Sequence, residues 1–545
     1  MIKNINKINY KKIIYGDICL IGSGPASLSI LENLKKTNLK IILIPGGKFN
    51  FDKKNQYLYK GVVNNGSYHE QLIKNRFREF GGSGNYWGGR CVPLDHLDFK
   101  KRSWIKNSGW PINYSEIIKY YKLAAKFLQI TPYDVKTNFK FNFIRRIINK
   151  MDDDFLSSTK LESWSPLLNF KKYFFKSQNR ENIILIENSH LFKINANKSE
   201  VVDLECRTLN TYFKVKCNQY VLACGGIENP RILLNSKNKF HPKGLGNAND
   251  LVGRFYMAHH SGTFLNFFPF NRKSFFYKYF QDYKGTYLRN RWWLNEKFQK
   301  KKCIGNSVFF ITNTNNSDDM GKSGKLFKLI QVFKSISQNN YNIFFILKIK
   351  SIYKIIFYIL ILFPKLLKIF YLRMASNRLP SVLPEISSDY FGIYHQVEQT
   401  PCYNSQLKLD KKKDGFNQQL IKLKLKFNPI DFRTILESHN YLINKINKFN
   451  IGKLQKKYNK KILKKKLIKK IKEFNSNAHH LGTTRMGATK KNGVVDKNLR
   501  IFGIKNIYIT GSSVFPTGGH ANPSFTIIAL SIRLAKHLKK IIKKK

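Results

Sequence analysis

The sequence predicts an α/β fold of more than one domain. Its 545 residues include 42% hydrophobic side chains, which suffices for a large core divided between two or more domains. In two places an apolar run of strand length leads into glycines and then into residues with helical spacing. A strand, a tight turn and a helix in this order are typical of parallel sheets covered by helices.

The first of these units lies near the N-terminus. Residues 17–21 (DICLI) are an apolar strand, residues 28–34 have helical spacing, and residues 40–44 (KIILI) supply the next strand. In such a βαβ unit the glycines of the turn let the backbone approach a pyrophosphate, which the helix N-terminus stabilises. The alternative is an ordinary glycine turn. The context favours a dinucleotide site in a Rossmann-like domain, formed by Gly22, Ser23, Gly24, Pro25, Ala26 and Ser27.

This turn departs from the usual pattern in two ways. Ser27 stands where a third glycine is common, and its side chain is small enough for close packing of helix and strand. The acidic residue that commonly binds the ribose about 20 positions later is absent, because Ile44 is followed by Pro-Gly-Gly. We therefore expect the ribose to be held in another way.

Two further glycine-rich segments suit the same domain. Residues 81–89 (GGSGNYWGG) are unsuited to a regular helix or strand. They form either a surface loop or, as Trp87 favours, a backbone that closely covers a planar ligand. Residues 219–224 (QYVLAC) predict a strand that ends in two glycines, with a helix from Arg231 onward, which is a second junction of strand, glycines and helix.

The C-terminal part carries two polar motifs, HHLGTTRMG at 479–487 and PTGGHANPS at 516–524. His479 can take a proton, and Asn522 precedes an apolar helix with Pro523 at or near its first turn. The two motifs therefore predict the halves of one polar site.

The formal net charge of +64 is unusual. A charge of this size is typical of proteins that bind nucleic acid or an anionic membrane surface. However, Asn, Ile and Phe are abundant as well as Lys, which indicates a compositional origin, and no nucleic-acid-binding motif accompanies the lysines. We expect nonspecific attraction to anions and no specific nucleic-acid partner.

The cysteines and the N-terminus indicate a location. Seven cysteines are scattered without a close CxxC pair, so they predict neither a disulfide framework nor a zinc site. Residues 1–12 are rich in Lys and Asn, and no apolar run of signal-peptide type precedes the first strand. The sequence thus predicts a cytoplasmic protein without a bound metal.

At this point the residues resemble the glucose-methanol-choline (GMC) flavin oxidoreductases. The version GSSVFPTGGHANPSFTIIAL at 511–530 is most similar to the bacterial branch that includes sugar and polyol dehydrogenases. The middle of the chain matches poorly. The segments that carry the resemblance are 22–27, 81–89, VLACGGIENPRILL at 221–234, LVGRFYMAHH at 251–260, and almost all of 478–538.

The resemblance implies FAD in an extended pose, with its isoalloxazine between the glycine-rich loop and the C-terminal motifs. It places the family's catalytic histidine at His479 and its partner at Asn522, leaves the role of His480 open, and puts His520 near the flavin edge. Some relatives attach FAD covalently through a histidine in the glycine-rich loop, but Tyr86 stands there, so non-covalent FAD is expected. Beyond the 22–27 turn, the implied cofactor contacts are Gly82, Ser83, Asn85, Trp87, Gly88, Ala223, Gly511, Ser512, His520, Ala521 and Pro523.

The chemistry of alcohol oxidation asks for the same residue types. Hydride loss from a carbon becomes easier as the hydroxyl proton leaves, so a neutral imidazole such as that of His479 is a suitable base. The amide of Asn522 can donate to the substrate oxygen without competing for its proton. For His69, His96 and His395 we keep the structural alternative of a satisfied core or surface residue, although His69 and His96 are secondary candidates for a covalent flavin link.

The positions of the flavin motifs predict a domain plan. The FAD-binding domain is assembled from residues 12–110, 185–260 and 476–545, and a sheet-plus-helices substrate domain takes 111–184 and 261–475. An apolar helical insertion is expected near 325–380. Its segment 343–363 has the length of a membrane span, but its lysines and the discontinuous FAD domain argue against a crossing. A helix on an anionic membrane, at the inner face, and a buried or dimer-forming helix stay as alternatives.

The sequence therefore predicts an FAD-dependent dehydrogenase or oxidase that acts on a CH–OH group of a sugar, polyol or other alcohol. The alternatives are a catalytically silent flavoprotein and a basic anion-binding or nucleic-acid-binding protein. The substrate and the electron acceptor are not specified by these motifs, because the substrate domain is the least matched part.

Overall fold

The computed structural model describes residues 2–3, 13–132, 146–148, 151–176, 181–208, 211–271, 279–313, 390–456 and 479–542. The strands are β1 (Ile2–Lys3), β2 (Ile13–Ile21), β3 (Ile41–Ile44), β4 (Gly61–Val63), β5 (Arg90–Cys91), β6 (Leu156–Ser157), β7 (Leu161–Trp164), β8 (Ile183–Ile186), β9 (His190–Ala196), β10 (Val201–Arg207), β11 (Tyr212–Leu222), β12 (His259–Pro269), β13 (Phe280–Gln281), β14 (Tyr287–Asn290), β15 (Trp292–Leu294), β16 (Ser307–Asn313), β17 (Phe391–Glu398), β18 (Gln406–Lys413), β19 (Gln419–Lys424), β20 (Gly452–Lys456) and β21 (Ile507–Ile509). The α-helices are α1 (Pro25–Leu34), α2 (Lys53–Tyr57), α3 (His96–Phe99), α4 (Tyr114–Phe127), α5 (Phe170–Lys176), α6 (Gly225–Asn235), α7 (Glu296–Lys302), α8 (Pro429–Lys448) and α9 (Ser524–Ile542).

The largest sheet confirms the predicted α/β fold. Its strands run in the order β1-β8-β3-β2-β11-β10-β9, and β21 also pairs with β11. The pairs from β1 to β11 and the β11–β21 pair are parallel, whereas β10 and β9 are antiparallel additions. All four residues of β3 are buried, as expected for a parallel strand covered on both faces.

Helices from distant parts of the chain pack beside this sheet. Helix α9 packs against both α1 and α4, and its apolar face is buried along most of its length. It begins at Ser524, which confirms the helix expected after Asn522 and Pro523. Helix α6 begins at Gly225, earlier than the predicted start at Arg231, because Gly225 adopts a φ of 81° that turns the chain directly after β11.

A second, six-stranded sheet runs in the order β20-β12-β17-β16-β15-β6 and is antiparallel. Its separate core includes Trp292 and Phe309 of the sheet and Leu442 of α8. Strands β18, β19 and β4 form a small sheet, and β13, β14, β7 and β5 form another. Strands β17 and β18 follow each other in the chain but belong to different sheets.

The apolar insertion near 325–380, including segment 343–363, lies outside the described residues. Within the described ranges no helix is long and apolar enough to cross a membrane. All seven cysteines are free thiols. The predicted division of the chain into two domains stays a prediction.

Candidate active site

A cleft opens where β2 and β11 end and the turns into α1 and α6 begin. Its lining combines segments from the beginning, the middle and the end of the chain. Fifteen of the nineteen predicted site residues line it: Gly22, Ser23, Gly24, Pro25, Ala26, Gly82, Ser83, Trp87, Gly88, Ala223, His479, Gly511, Ser512, Asn522 and Pro523.

The turn between β2 and α1 has the geometry of a phosphate cradle. Gly22 has a φ of 100°, and a Cβ on it would stand 2.5 Å from the carbonyl oxygen of Ala223. At Gly24, by contrast, no atom lies within 4 Å of the position of a Cβ, so the backbone there faces open space. Gly24 is the N-cap of α1, and no side-chain hydrogen bond caps the helix there. The first N–H groups of the helix can therefore bind an anion. These residues fit a bound pyrophosphate.

The glycine-rich loop is tied to this turn by one serine. The hydroxyl of Ser23 accepts a hydrogen bond from the N–H of Gly81 at 3.3 Å and donates to the carbonyl of Pro45 at 3.2 Å. Residues Gly82–Tyr86 then form a short 3₁₀ helix. The indole N–H of Trp87 donates to the carbonyl of Leu167 at 2.9 Å, which fixes the ring at the cleft wall.

Three carboxylates line the cleft, although the acidic residue commonly found directly after β3 is absent. They are Glu79, Glu228 and Asp414, from segments far apart in sequence. Arg76 pairs with Glu228 at 2.9 Å, and Arg231 pairs with Asp414 at 2.6 Å. Burial acts to raise the pKa of Glu228, but the nearby arginines outweigh it and lower that pKa. Sequence reasoning missed this group because its members meet only in the folded chain.

An antiparallel bridge places His479. The backbone groups of Met257 and Leu481 exchange both hydrogen bonds, at 3.1 and 2.9 Å. Two residues away on each strand, His259 therefore lies opposite His479, and their Nδ1 atoms are 2.8 Å apart. Burial, together with the charge of Arg90, lowers the pKa of His479 to about 4.

The amide of Asn522 is oriented by donors behind it. Its Oδ1 accepts from Nε2 of Gln396 at 3.0 Å and from Nη1 of Arg90 at 3.5 Å. Arg90 also donates to Oε1 of Gln396 at 2.7 Å and to Glu162 at 2.6 Å. With the oxygen engaged on this side, the NH₂ group is the end available to a ligand in the cleft. Arg90 lines the cleft too and was not predicted.

Four predicted contacts do not line the cleft: Ser27, Asn85, His520 and Ala521. The amide of Asn85 turns into the loop and donates to Glu79 and to the carbonyl of Phe80, both at 2.8 Å. The ring of His520 is buried, with Nε2 3.1 Å from Asp95. Burial and the charge of Arg291 lower the pKa of His520 to about 4.

The remaining histidines differ in position. His480 lines the cleft, and its carbonyl accepts a hydrogen bond from the Ser512 hydroxyl at 2.5 Å. His69 does not line it, because its ring is buried with Nε2 2.7 Å from the Tyr256 hydroxyl. His96 does not line it either, whereas Tyr86 does.

The structure defines an α/β protein whose cleft contains a glycine turn that fits a pyrophosphate and is lined also by His479 and Asn522. Two solved structures share this fold at low identity. A pyridoxine 4-oxidase from Mesorbium loti has a TM-score of 0.52 and 12% identity over 96% of this chain and 99% of its own. An FAD-dependent oxidoreductase from Chaetomium thermophilum has a TM-score of 0.56 and 13% identity over 97% of this chain and 100% of its own.

Sequence comparison adds a match over part of the chain. Residues 401–531 match the model of the GMC oxidoreductases. A dehydrogenase of Armillaria gallica is 41% identical over 64 residues, 12% of this chain and 10% of that protein. A long-chain-alcohol oxidase of Arabidopsis thaliana is 31% identical over 68 residues, 12% of this chain and 9% of that protein. The chain thus matches about a tenth of the length of these curated relatives. The similarity to GMC oxidoreductases thus lies in residues 401–531, which include His479 and Asn522, and the glycine turn of the cleft fits the pyrophosphate of FAD.

Proposed function

We propose that the protein oxidises a CH–OH group of a sugar, polyol or other alcohol, with His479 as the base and Asn522 as the partner of the substrate oxygen. One observation carries this proposal. The two side chains come from separate segments, both line the FAD cleft, and both lie near Arg90.

The side chains support a division of labour at the substrate. FAD, when bound, supplies the acceptor for the hydride that leaves the substrate carbon. Because the pKa of His479 is lowered to about 4, its imidazole is neutral near pH 7 and can take the hydroxyl proton. The NH₂ group of Asn522 donates to the substrate oxygen, and the charge of Arg90 stabilises negative charge that develops there.

We further propose that FAD is bound without a covalent link. Tyr86 lines the cleft at the position where some relatives carry a histidine, and its hydroxyl is engaged with Glu79 at 3.2 Å. Neither His69 nor His96 reaches the cleft lining. Denaturation in acid and filtration should therefore release all the yellow colour from the protein, whereas colour retained by the precipitate would contradict the proposal.

Anaerobic flavin reduction tests the reaction. The purified holoenzyme is mixed with a panel of sugars, polyols and lipidic alcohols, and bleaching of the flavin absorbance is followed. At least one alcohol should bleach wild-type flavin, and His479→Ala should slow bleaching about 10²–10⁴-fold with unchanged FAD content. A flavoprotein that no alcohol bleaches would refute the function. The rate of re-oxidation in air then separates an oxidase from a dehydrogenase.

His241 offers a matched control for this series. It is half-buried outside the cleft, and its Nε2 lies 2.8 Å from the carbonyl oxygen of Asn197. His241→Ala removes a histidine with a single structural hydrogen bond, so bleaching should keep its wild-type rate.

A further inference from the structure

Behind the proposed base lies a second histidine. His259 begins β12 and is buried, with 2% of its surface exposed. Its Nδ1 lies 2.8 Å from Nδ1 of His479, and its Nε2 lies 3.0 Å from the carbonyl oxygen of Gly519. Both ring nitrogens of His259 are therefore engaged, one of them with a group that can only accept.

These contacts fix where the protons are. A carbonyl oxygen accepts only, so Nε2 of His259 must carry its proton. Burial, together with the neighbouring His479, holds the pKa of His259 well below its ordinary value, so the ring is neutral and its Nδ1 is bare. A bare nitrogen at 2.8 Å requires a donor, and the donor is the Nδ1–H of His479. If His479 carried its proton on Nε2 instead, the lone pairs of the two Nδ1 atoms would face each other at 2.8 Å.

We propose that His259 is a positioning residue that holds His479 in the tautomer with a proton on Nδ1 and a free lone pair on Nε2. The backbone carbonyl of Gly519 sets the tautomer of His259, and His259 sets that of His479. The inference rests on the proposed function, in which Nε2 of His479 is the atom that acts as base.

The proton balance follows from this arrangement. The substrate O–H bond breaks, its electron pair stays on oxygen, and the proton binds Nε2 of His479. The Nδ1–H stays in its hydrogen bond with His259, which keeps its own proton throughout. FAD, when bound, would supply the acceptor for the hydride that leaves the carbon, as in the proposed function. A His479 locked in the other tautomer would present an N–H to the substrate and could not accept the proton.

A matched pair of substitutions separates this role from packing. Asn and Leu have nearly the same shape, and the amide oxygen of an Asn lies where Nδ1 of a histidine lies. His259→Asn keeps an acceptor for His479, whereas His259→Leu removes it. We expect His259→Leu to lower kcat about 10²–10⁴-fold, the range for loss of a general base, and His259→Asn to stay within about tenfold of wild type.

A second readout does not depend on turnover. In the holoenzyme labelled with [¹⁵N]histidine, the ring nitrogen shifts and couplings show which nitrogen carries the proton, and the His479→Gln variant assigns the signals. Wild type and His259→Asn should show Nδ1–H and a bare Nε2 on His479 near pH 7. His259→Leu should move the proton to Nε2. FAD content and thermal unfolding report whether each variant folds.

The outcomes are distinct. A wild-type signal with the proton on Nε2 of His479 overturns the proposal, as does an equal loss of kcat in the Asn and Leu variants. Should His259→Leu fail to fold, the wild-type and Asn spectra still decide. If no alcohol bleaches the flavin while the spectra show Nδ1–H, the tautomer assignment stands and the proposed reaction falls.

Discussion

Gly226 packs closely against the backbone that directly follows His479. A Cβ on Gly226 would stand 2.1 Å from the carbonyl oxygen of His480 and 2.6 Å from its Cβ. Neither atom is the far end of a flexible side chain, so in Gly226→Ala the backbone at 479–480 must move away from α6. Separation to an ordinary contact needs a shift of roughly 1 Å, and a misplacement of that size costs about 10²-fold in rate.

We expect Gly226→Ala to affect the stability of the fold less than the rate of flavin reduction. Gly226 lies in the first turn of α6, where alanine is favoured over glycine by up to about 1 kcal/mol, which partly offsets an overpacking cost of about 1–3 kcal/mol. Thermal unfolding should therefore shift by only a few degrees while flavin bleaching by the best alcohol slows about 100-fold.

The matched control is Gly415→Ala, since the nearest atom to a Cβ there is 3.9 Å away on a leucine side chain. It should keep the wild-type rate. A Gly226→Ala variant that bleaches at the wild-type rate with full FAD content would refute the reasoning, because the 479–480 backbone would then tolerate the displacement.

Three further outcomes are expected. Gly22→Ala should lose FAD on gel filtration, because φ is 100° there and the Cβ would lie 2.5 Å from a backbone oxygen; a fully loaded variant would contradict the cradle. Glu398→Ala leaves the fully buried Arg102 without the partner that now lies 2.6 Å away, so unfolding in urea should show a loss of about 3–5 kcal/mol. The second-order rate constant of flavin reduction should fall as the pH drops through about 4, where His479 gains a proton. In Arg90→Gln the pKa of His479 should rise, so this fall should begin at a higher pH. An unchanged pH profile would show that the charge of Arg90 does not lower the pKa of His479.

Much of the cofactor site follows from the sequence, because its signals are local. The strand, the glycine turn and the helix around Gly22 are contiguous in the sequence, and the positive φ of the turn is met by a glycine at that position. The same is true of α9, which begins directly after Asn522 and Pro523. His479 and Asn522 line one cleft, although their catalytic roles stay a proposal.

Other parts of the site depend on register between distant strands, which no local pattern contains. His259 stands behind His479 only because residues 257 and 481 form an antiparallel bridge. Arg90 contacts Asn522 directly at 3.5 Å and is also linked to it by Gln396, whose position is fixed by β17 within the second sheet. The same limitation explains why Ser27, Asn85, His520 and Ala521 do not line the cleft, since a motif identifies a segment but not the direction of each side chain.

The packing of α9 on α1 has a consequence for synthesis of the chain. Helix α1 is made near the start of translation, but the helix that covers it spans Ser524–Ile542. At about 5–20 residues per second, ribosomes need roughly 25–100 s to make the intervening segment. During that interval α1 lacks its native contact with α9, and the cleft lacks the part of its lining that residues 522–527 supply. The lining of the cleft is therefore complete only after residues 522–527 have been made.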